Sequence, residues 1–404
     1  MQRQRSHTDS QAVEECAPET ELLLRCSLPP SISRDGVRIR TLLREELSWE
    51  QILDLGGRHS ILSVLLRHVE ATPDHRVPEA IVDQLRSQAQ SRTVRNLQYA
   101  EELHDIVRTF ENRSIRALPF KGPVLAEYVY GDLSLRAFGD LDILVQRADV
   151  SAAVDALEDC GYEWVEAAPR LDDSPLLGGP LTRPMVCEYE LERGNHTVEI
   201  RWRVGESELP FGIEFETMWE RHDTAEVAGV ALPVLEPEDR ILVLAYHGTK
   251  HNWCLLKWIA DFAVAVETTE IEWPRLVRRA KAHGLERKLL LGIALVTDLY
   301  GVSVPEQVEQ RLREDDRAER LAARIETELK TPPPERPTSR ERLVYNASAA
   351  DSRRDVVRLL LQRGRLHPSL FEYRLFPLPG EFHPLYYPVV PVRLAVERLA
   401  SVIR

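Results

Sequence analysis

The sequence is short of the features that mark secreted, zinc-binding or membrane-spanning proteins. Only five cysteines occur in 404 residues and none forms a Cys-x-x-Cys pair, so neither a disulfide framework nor a zinc site is indicated. The strongly apolar stretch near Leu289–Val296 is far too short to span a membrane, and the N-terminal residues lack the apolar centre of a signal peptide. We therefore expect a cytoplasmic protein that has no membrane partner.

The sequence also contains fewer basic than acidic residues. The chain carries 52 basic and 65 acidic residues, a net charge of −13, which argues against general DNA binding. A local basic pocket for a nucleotide remains compatible with this balance. Hydrophobic and charged contents of 43% and 29% are typical of a soluble globular protein, and the length predicts two or three domains.

Apolar periodicity and turn residues divide the chain into five parts. The long segment from Pro78 to about Asn112 predicts an amphipathic helix that leads into an α/β part. The predicted fold class is α+β, with a small mixed sheet as the core and helical segments on its N-terminal and C-terminal sides. The predicted parts are a disordered N-terminus at 1–18, a helical region at 19–113, the α/β core at 114–225, a helical domain at 226–330, and at 331–404 a Pro-rich linker, one helix near 340–362 and a Pro/aromatic tail.

Within the α/β core, short apolar runs alternate with helical patterns. A loop rich in Asp, Gly and Pro is expected at Leu171–Arg183. The predicted strands are Ser114–Phe120, Leu141–Val145, Glu163–Val165, Cys187–Leu191 and Thr197–Arg203, the last two joined by a turn at 192–195, and the predicted helices are Lys121–Tyr130 and Ala148–Cys160.

A pair of aspartates stands at the start of the most apolar of these strands, in the sequence Gly139-Asp140-Leu141-Asp142. Alternate side chains of a strand share a face, so Asp140 and Asp142 are expected to project together while Leu141 enters the core. Two adjacent carboxylates repel each other unless a cation lies between them. Mg²⁺ suits such a pair, because it binds one or two protein carboxylates and fills its remaining positions with water and phosphate oxygens.

A third carboxylate, Glu199, lies on the second strand of the predicted hairpin. Val198, Ile200 and Trp202 share one face of that strand, and Glu199, Arg201 and Arg203 share the other. If the two strands are neighbours, Glu199 stands beside Asp140 and Asp142.

Basic residues near these acids are candidates for phosphate contacts. Lys121 and Gly122 fall at a strand-to-helix turn, where backbone N–H groups and the lysine charge suit triphosphate oxygens. Arg136 has the fork geometry for a phosphate; the alternative is a structural pair with Asp132 or Glu127. A solvated lysine beside a tight turn is the corresponding alternative for Lys121.

The helical pattern that follows Pro237 brings five polar residues into register. His247, Lys250, Cys254, Lys257 and Asp261 are spaced by steps of three and four, which gives one stripe on a continuous helix. Gly248 and Asn252 interrupt the pattern, so two helices meeting at a corner are the other expectation. Lys250 and His247 are the candidate nucleotide contacts, against a neutral buried histidine and a Lys257–Asp261 helix pair.

The order of a glycine turn, Asp-x-Asp and a third strand acid resembles the polymerase-beta-type nucleotidyltransferases. The blocks 118–145 and 244–262 resemble more closely one uncharacterised group of that superfamily, nucleotidyltransferase family 5, through Lys121-Gly122, Tyr130–Asp132, Ser134–Arg136, Gly139–Val145 and His247–Asp261. The resemblance implies a nucleotidyltransferase core and transfer of a nucleoside monophosphate from an NTP to an acceptor, with release of pyrophosphate. It also implies one or two Mg²⁺ ions on Asp140, Asp142 and Glu199, with Glu199 serving the acceptor side as a ligand or as a base.

Two departures accompany the resemblance. The superfamily's usual Gly-Ser pair is replaced here by Lys121-Gly122, and Arg201-Trp202 stands where this family tends to have His-Trp. The acceptor, whether small molecule, protein or RNA, does not follow from the residues. Two other functions are compatible with the sequence: an RNA-directed or toxin-like nucleotidyltransferase, and a catalytically inactive module that holds a nucleotide or a partner.

Overall fold

The computed structural model describes residues 16–165, 187–205, 209, 211–330 and 339–363, and some positions between 376 and 395. The expected loop at 171–183 and the Pro-rich linker lie outside the described residues, as does most of the expected disordered N-terminus. No helix of the described part is both long enough and apolar enough to cross a bilayer.

Along the chain, the strands of a small sheet are preceded and followed by groups of helices. The N-terminal helices are α1 (Pro18–Arg25), α2 (Gly36–Leu42), α3 (Trp49–Arg58), α4 (Leu62–Glu70) and α5 (Glu79–Asn112). The core contains α6 (Gly122–Tyr128), a 3₁₀ turn at Arg147–Asp149, α7 (Val150–Asp159) and α8 (Phe215–Trp219). The C-terminal helices are α9 (Pro237–Lys250), α10 (Leu256–Thr268), α11 (Trp273–Ala282), α12 (Glu286–Tyr300), α13 (Glu306–Glu314), α14 (Asp316–Lys330), α15 (Ser339–Ala349) and α16 (Arg353–Arg363).

The main sheet is mixed and has the strand order β1-β2-β5-β4-β3. Its strands are β1 (Ala117–Pro119), β2 (Leu141–Val145), β3 (Glu163–Trp164), β4 (Glu188–Arg193) and β5 (His196–Arg201). Strands β2 and β5 are parallel, and the other neighbours are antiparallel. This arrangement confirms the predicted α+β class.

Strand β2 contributes side chains to two cores, one on each face of the sheet. Leu141, Ile143 and Val145 pack into a sheet core with α7 and the C-terminal half of α5. Leu144 points the other way and joins a helical core built mainly from α1–α4 and α9–α14. Burying each of these side chains contributes about 1.5–3 kcal/mol. Asp142 alternates with Ile143 and therefore shares the Leu144 face, toward the helical core.

Helix α5 belongs to both cores. Val82 and Leu85 near its start lie in the helical core, whereas Tyr99 and Phe110 lie in the sheet core. Its 34 residues span about 50 Å at 1.5 Å per residue. The predicted helix over 78–112 is confirmed, and it connects the N-terminal helices directly to the sheet.

Two elements differ from the sequence-based expectation. A two-stranded hairpin, β6 (Asp223–Val227) and β7 (Val230–Val234), was not predicted, and the expected boundary at 225/226 falls inside β6. Ala228 and Gly229 form its tight turn with positive φ values, but only Gly229 is a typical turn residue, so the signal was weak. The single helix expected at 340–362 is wrong, because the chain ends one helix at Ala349 and begins another at Arg353.

The polar stripe expected on one long helix is interrupted by a corner between α9 and α10. Trp253 is fully buried, and its ring packs so closely on Gly248 that a Cβ there would lie 2.4 Å from ring carbons. Asn252 and Trp253 both have positive φ, which ends the helix. The two-helix alternative is therefore the correct one, and it turns Asp261 into the core.

Candidate active site

The three predicted acids lie together on one face of the main sheet. Parallel pairing of β2 with β5 places Asp142 opposite Glu199, and Asp140 directly precedes β2. One oxygen from each of the three carboxylates lies within 4.8 Å of the others. The predicted proximity of Asp140, Asp142 and Glu199 is thus confirmed, and this acidic triad could bind a metal ion.

Asp142 is the most deeply buried of the three, with 3% of the residue exposed. Its Oδ1 accepts a hydrogen bond from Lys121 Nζ at 2.7 Å, while no nitrogen or hydroxyl of the described residues donates to its buried Oδ2. Burial acts to raise the pKa of Asp142, but the Lys121 and Arg201 charges outweigh burial and lower it. The carboxylate is therefore ionised and has one oxygen available.

Glu199 has a different environment. Arg201 Nη1 donates to Glu199 Oε2 at 2.7 Å. Burial and the neighbouring Asp142 carboxylate nevertheless raise the pKa of Glu199 to about 7, because the two acids repel each other at this distance.

Arg201 lies among three acids rather than pointing into solvent. Its Nη1 is 3.8 Å from Asp142 Oδ1 and also forms an ion pair with Glu188, the residue that faces Arg201 across the β4–β5 hairpin. Only 4% of Arg201 is exposed. The residue at which the sequence departs from the family's usual pattern is therefore in direct contact with the acids.

The turn that precedes α6 places Lys121 against the acids. Gly122 has φ +54°, and a Cβ there would lie 3.2 Å from the Asp140 carbonyl oxygen. A positive φ disfavours residues that carry a Cβ, so glycine allows the close approach of this turn to the start of β2.

Helix α5 fixes the loop that leads to Asp140. Asn96 Nδ2 donates to the carbonyls of Leu133 at 2.6 Å and Arg136 at 3.0 Å. Tyr99 Oη donates to the Gly139 carbonyl at 2.6 Å. These bonds hold the segment immediately before the first acid.

Arg136 is buried, and its partner is not one of the two that the sequence suggested. Its Nε and Nη2 donate to Asp261 Oδ1 and Oδ2 at 2.9 and 3.0 Å, and Tyr130 Oη donates to Asp261 Oδ1 at 2.7 Å. The expected pair with Asp132 or Glu127 is wrong, because α10 turns Asp261 toward the Arg136 loop. Arg136 Nη1 is buried and lacks a hydrogen-bond partner among the described residues.

The basic residues of α9 and α10 lie on the side of the site that faces the helical core. His247 is partly buried, and burial together with Lys121, His251 and Lys250 lowers its pKa well below the usual value, so the ring is neutral at pH 7. Lys250 is the last residue of α9, one turn from His247.

Lys257 does not pair with Asp261 as expected of a helix pair. Its Nζ donates to the Ala137 carbonyl at 3.3 Å, and burial and the Arg136 charge lower its pKa to about 8. Asp140 is near enough to act on that pKa in the opposite direction. Lys257 therefore lies between the acidic triad and the Arg136–Asp261 pair.

The donor set fits a magnesium ion. The triad offers carboxylate oxygens, the ligands that Mg²⁺ prefers, and within the part of the chain that the structure describes no nitrogen or hydroxyl donates to the buried Asp142 Oδ2. A buried charged oxygen without a partner is costly, and a cation at this point removes that cost. Asp140 is partly exposed, which leaves room for water and substrate oxygens.

Glu188 and Arg201 were not proposed as site residues from the sequence. The sequence carried a signal for both. Arg201 shares a strand face with Glu199 because side chains alternate. A tight turn at Gly194 and Asn195 fixes the register of the two strands, and that register places Glu188 opposite Arg201. The roles assigned to Lys121, Gly122, Arg136, His247 and Lys250 stay predictions.

The family match agrees with the resemblance seen in the sequence. Residues 45–301 match the family described as uncharacterised nucleotidyltransferase. No curated protein matches the chain. Among solved structures, the solution structure of the antibiotic-resistance factor ANT(2'')-Ia has 15% sequence identity, 46% of this chain and 92% of that chain covered, and a TM-score of 0.33; a TM-score this low carries no conclusion.

The family match spans well over half of the chain and contains every site residue described above. Its reaction class is the transfer of nucleotidyl groups. The chain is therefore an enzyme of the EC 2.7.7 type and belongs to the uncharacterised nucleotidyltransferase family.

Proposed function

We propose that this protein transfers a nucleoside monophosphate from an NTP to an acceptor hydroxyl or similar group in a Mg²⁺-dependent reaction. The observation that carries the proposal is the acidic triad, with ligand atoms within 4.8 Å of one another and a buried Asp142 Oδ2 to which no nitrogen or hydroxyl of the described residues donates. In this reaction the acceptor hydroxyl gives its proton to Glu199 or to water and its oxygen bonds to the α-phosphorus. The bond from that phosphorus to the β-phosphate oxygen breaks, and pyrophosphate leaves.

Asp140 and Asp142 would hold the magnesium ion, with Glu199 on the acceptor side. When bound, Mg²⁺ supplies Lewis-acid stabilisation of the phosphoryl oxygens and of the leaving group. Phosphoryl transfer depends on positioning and charge neutralisation more than on covalent help from the protein. A sheet that fixes Asp142 opposite Glu199 supplies such positioning.

The cations around the triad would bind the triphosphate. Lys121 already contacts Asp142 and lies at a turn whose backbone approaches Asp140 closely. Lys257 and Arg136 are near enough to Asp140 for its charge to act on the pKa of each, and both cations suit anionic oxygens. His247 is neutral and so is suited to hydrogen bonding rather than to charge pairing.

Transfer is tested with purified protein, Mg²⁺, each α-labelled NTP in turn, and a cell extract as the source of acceptors. Label is then read in the protein, RNA and small-molecule fractions. We expect label in one fraction, lost on chelation of Mg²⁺. Label in RNA would identify the RNA-directed form of the activity, whereas NTP binding without label in any fraction would indicate an inactive binding module.

Asp140→Ala and Asp142→Ala are each expected to lower the transfer rate about 10³-fold or more, the scale on which removal of one electrostatic group acts in an active site. Asp155→Ala, an exposed acid on α7, is the matched control and should transfer at the wild-type rate. Undiminished transfer by both site variants, with circular dichroism and melting unchanged, would refute the proposal.

A further inference from the structure

We propose that the guanidinium of Arg201 takes the position of a second divalent ion, so that this enzyme works with a single Mg²⁺. The inference rests on the proposed function and adds to it the number of ions. The sequence resemblance left one or two ions open, and the geometry around Arg201 favours one.

Two-ion sites hold their ions about 4 Å apart, bridged and flanked by carboxylates. An ion on the Glu199 side would need oxygens from both Glu199 and Asp142. Arg201 Nη1 is already there, 2.7 Å from Glu199 Oε2 and 3.8 Å from Asp142 Oδ1. The cationic nitrogen and a second ion cannot share this space.

The two oxygens of Asp142 differ in their surroundings. Lys121 and Arg201 are both directed at Oδ1, whereas no nitrogen or hydroxyl of the described residues donates to the buried Oδ2. Asp140 supplies the neighbouring carboxylate. One ion held by Asp140 and Asp142 would leave Arg201 in its place beside Glu199.

Arg201 is not free to move aside for a second ion. It is buried, its Nη2 approaches Cys187 Sγ at 3.8 Å, and its Nη1 also pairs with Glu188. An arginine remains charged at any pH at which the protein is folded, so its exclusion of a cation is permanent. A histidine at this position would be shorter and would lose its proton at a far lower pH than arginine does.

The test is a titration with Mn²⁺ alone, followed by electron paramagnetic resonance, on the wild type, Arg201→Gln and Arg203→Gln. Arg203→Gln removes the same charge two residues along the chain, from an exposed position. We expect one Mn²⁺ per chain with an uncoupled spectrum in the wild type and in Arg203→Gln. Arg201→Gln should bind a second Mn²⁺ and give a spin-coupled pair signal.

A coupled pair in the wild type would overturn this inference and leave the proposed function standing, and that result needs no variant. A single ion in folded Arg201→Gln would also overturn it, because the arginine would then not be the excluding group. Absence of Mn²⁺ binding to the wild type would also overturn the inference, since it requires one ion in the absence of nucleotide, while the proposed function is decided separately by the transfer assay.

Discussion

Two buried aspartates of this protein have different surroundings. Asp142 on β2 and Asp261 on α10 are 3% and 1% exposed. Both oxygens of Asp261 are paired, with Arg136 and Tyr130 as donors. Among the described residues, the cations beside Asp142 contact Oδ1, and no nitrogen or hydroxyl donates to Oδ2.

The difference separates a structural carboxylate from one arranged for binding. A buried carboxylate that is paired through both oxygens ties two segments together, and breaking the ion pair is costly because the other charge is left uncompensated. A buried oxygen without a partner is an exception that calls for a ligand. Burial and charge alone would not distinguish these two aspartates; the completeness of their hydrogen bonding does.

The sharpest test of this contrast replaces each aspartate by asparagine and measures stability by urea denaturation. Asp261→Asn should lower the free energy of unfolding by about 3 kcal/mol, since it leaves Arg136 buried without its counter-charge. Asp142→Asn should change it by less than about 1 kcal/mol, because it also removes repulsion from Glu199. Equal losses in the two variants would show that Asp142 is as structural as Asp261.

The turn at Gly122, which lies close to Asp140, offers a second test of what holds the site together. Gly122→Ala should lower the free energy of unfolding by about 2 kcal/mol, from the positive φ and from the contact with the Asp140 carbonyl oxygen. Gly131→Ala is the matched control, with φ +71° and open space around the new Cβ; it should cost about 1 kcal/mol.

The same two glycine variants distinguish a loss of stability from a misplacement of Asp140. Because Gly122 contacts the backbone of Asp140, its variant should also lose transfer rate about tenfold through misplacement of that acid. Gly131→Ala should keep the wild-type rate at a temperature where both variants are folded. A Gly122→Ala enzyme with full activity would mean that this turn does not position the acid.

The smallest expected effect concerns Lys257, whose pKa is lowered to about 8 by burial and by Arg136. Between pH 8 and the normal lysine pKa, the unfolded chain binds more protons than the folded one, so stability from this residue rises with pH. At pH 7 the Lys257 ammonium is charged in the folded protein, so its full desolvation penalty lowers the free energy of unfolding. Lys257→Met should therefore be more stable than the wild type at pH 7 by about 1 kcal/mol, a value discounted for partial exposure.

The advantage of Lys257→Met should shrink as the pH passes from 8 to 10. Thermal melting of both proteins across this range gives the difference and cancels the titration of other groups. Lys281→Met, an exposed lysine, is the control and should follow the wild type at every pH. An advantage that stays constant with pH would show that Lys257 is not held charged against desolvation.

The acidic triad could be predicted from the sequence because strand alternation and pairing leave few choices. An apolar run as short as Leu141–Val145 fixes which face Asp142 occupies, and a turn at Gly194 fixes the register of β4 with β5. What alternation does not give is the partner of a long side chain. Arg136 pairs with Asp261, 125 residues away, and that contact depends on the corner that Trp253 makes between α9 and α10.

The hairpin β6–β7 escaped prediction for a similar reason. Its turn at Ala228 and Gly229 carries a positive φ on alanine, which local propensity disfavours. The Ala228 N–H donates to Glu127 Oε2 on α6. This tertiary contact stabilises a turn that the dipeptide Ala228-Gly229 alone does not predict.

Helix α5 limits how far the chain can be truncated from its N-terminal side without loss of activity. Its side chains at Asn96 and Tyr99 hold the carbonyls of Leu133, Arg136 and Gly139, although the sheet itself starts only at Ala117. A fragment trimmed to begin at residue 114 would keep all three acids and lose the groups that anchor the approach to the first of them. The minimal catalytic unit therefore reaches back into a helix that begins among the N-terminal helices.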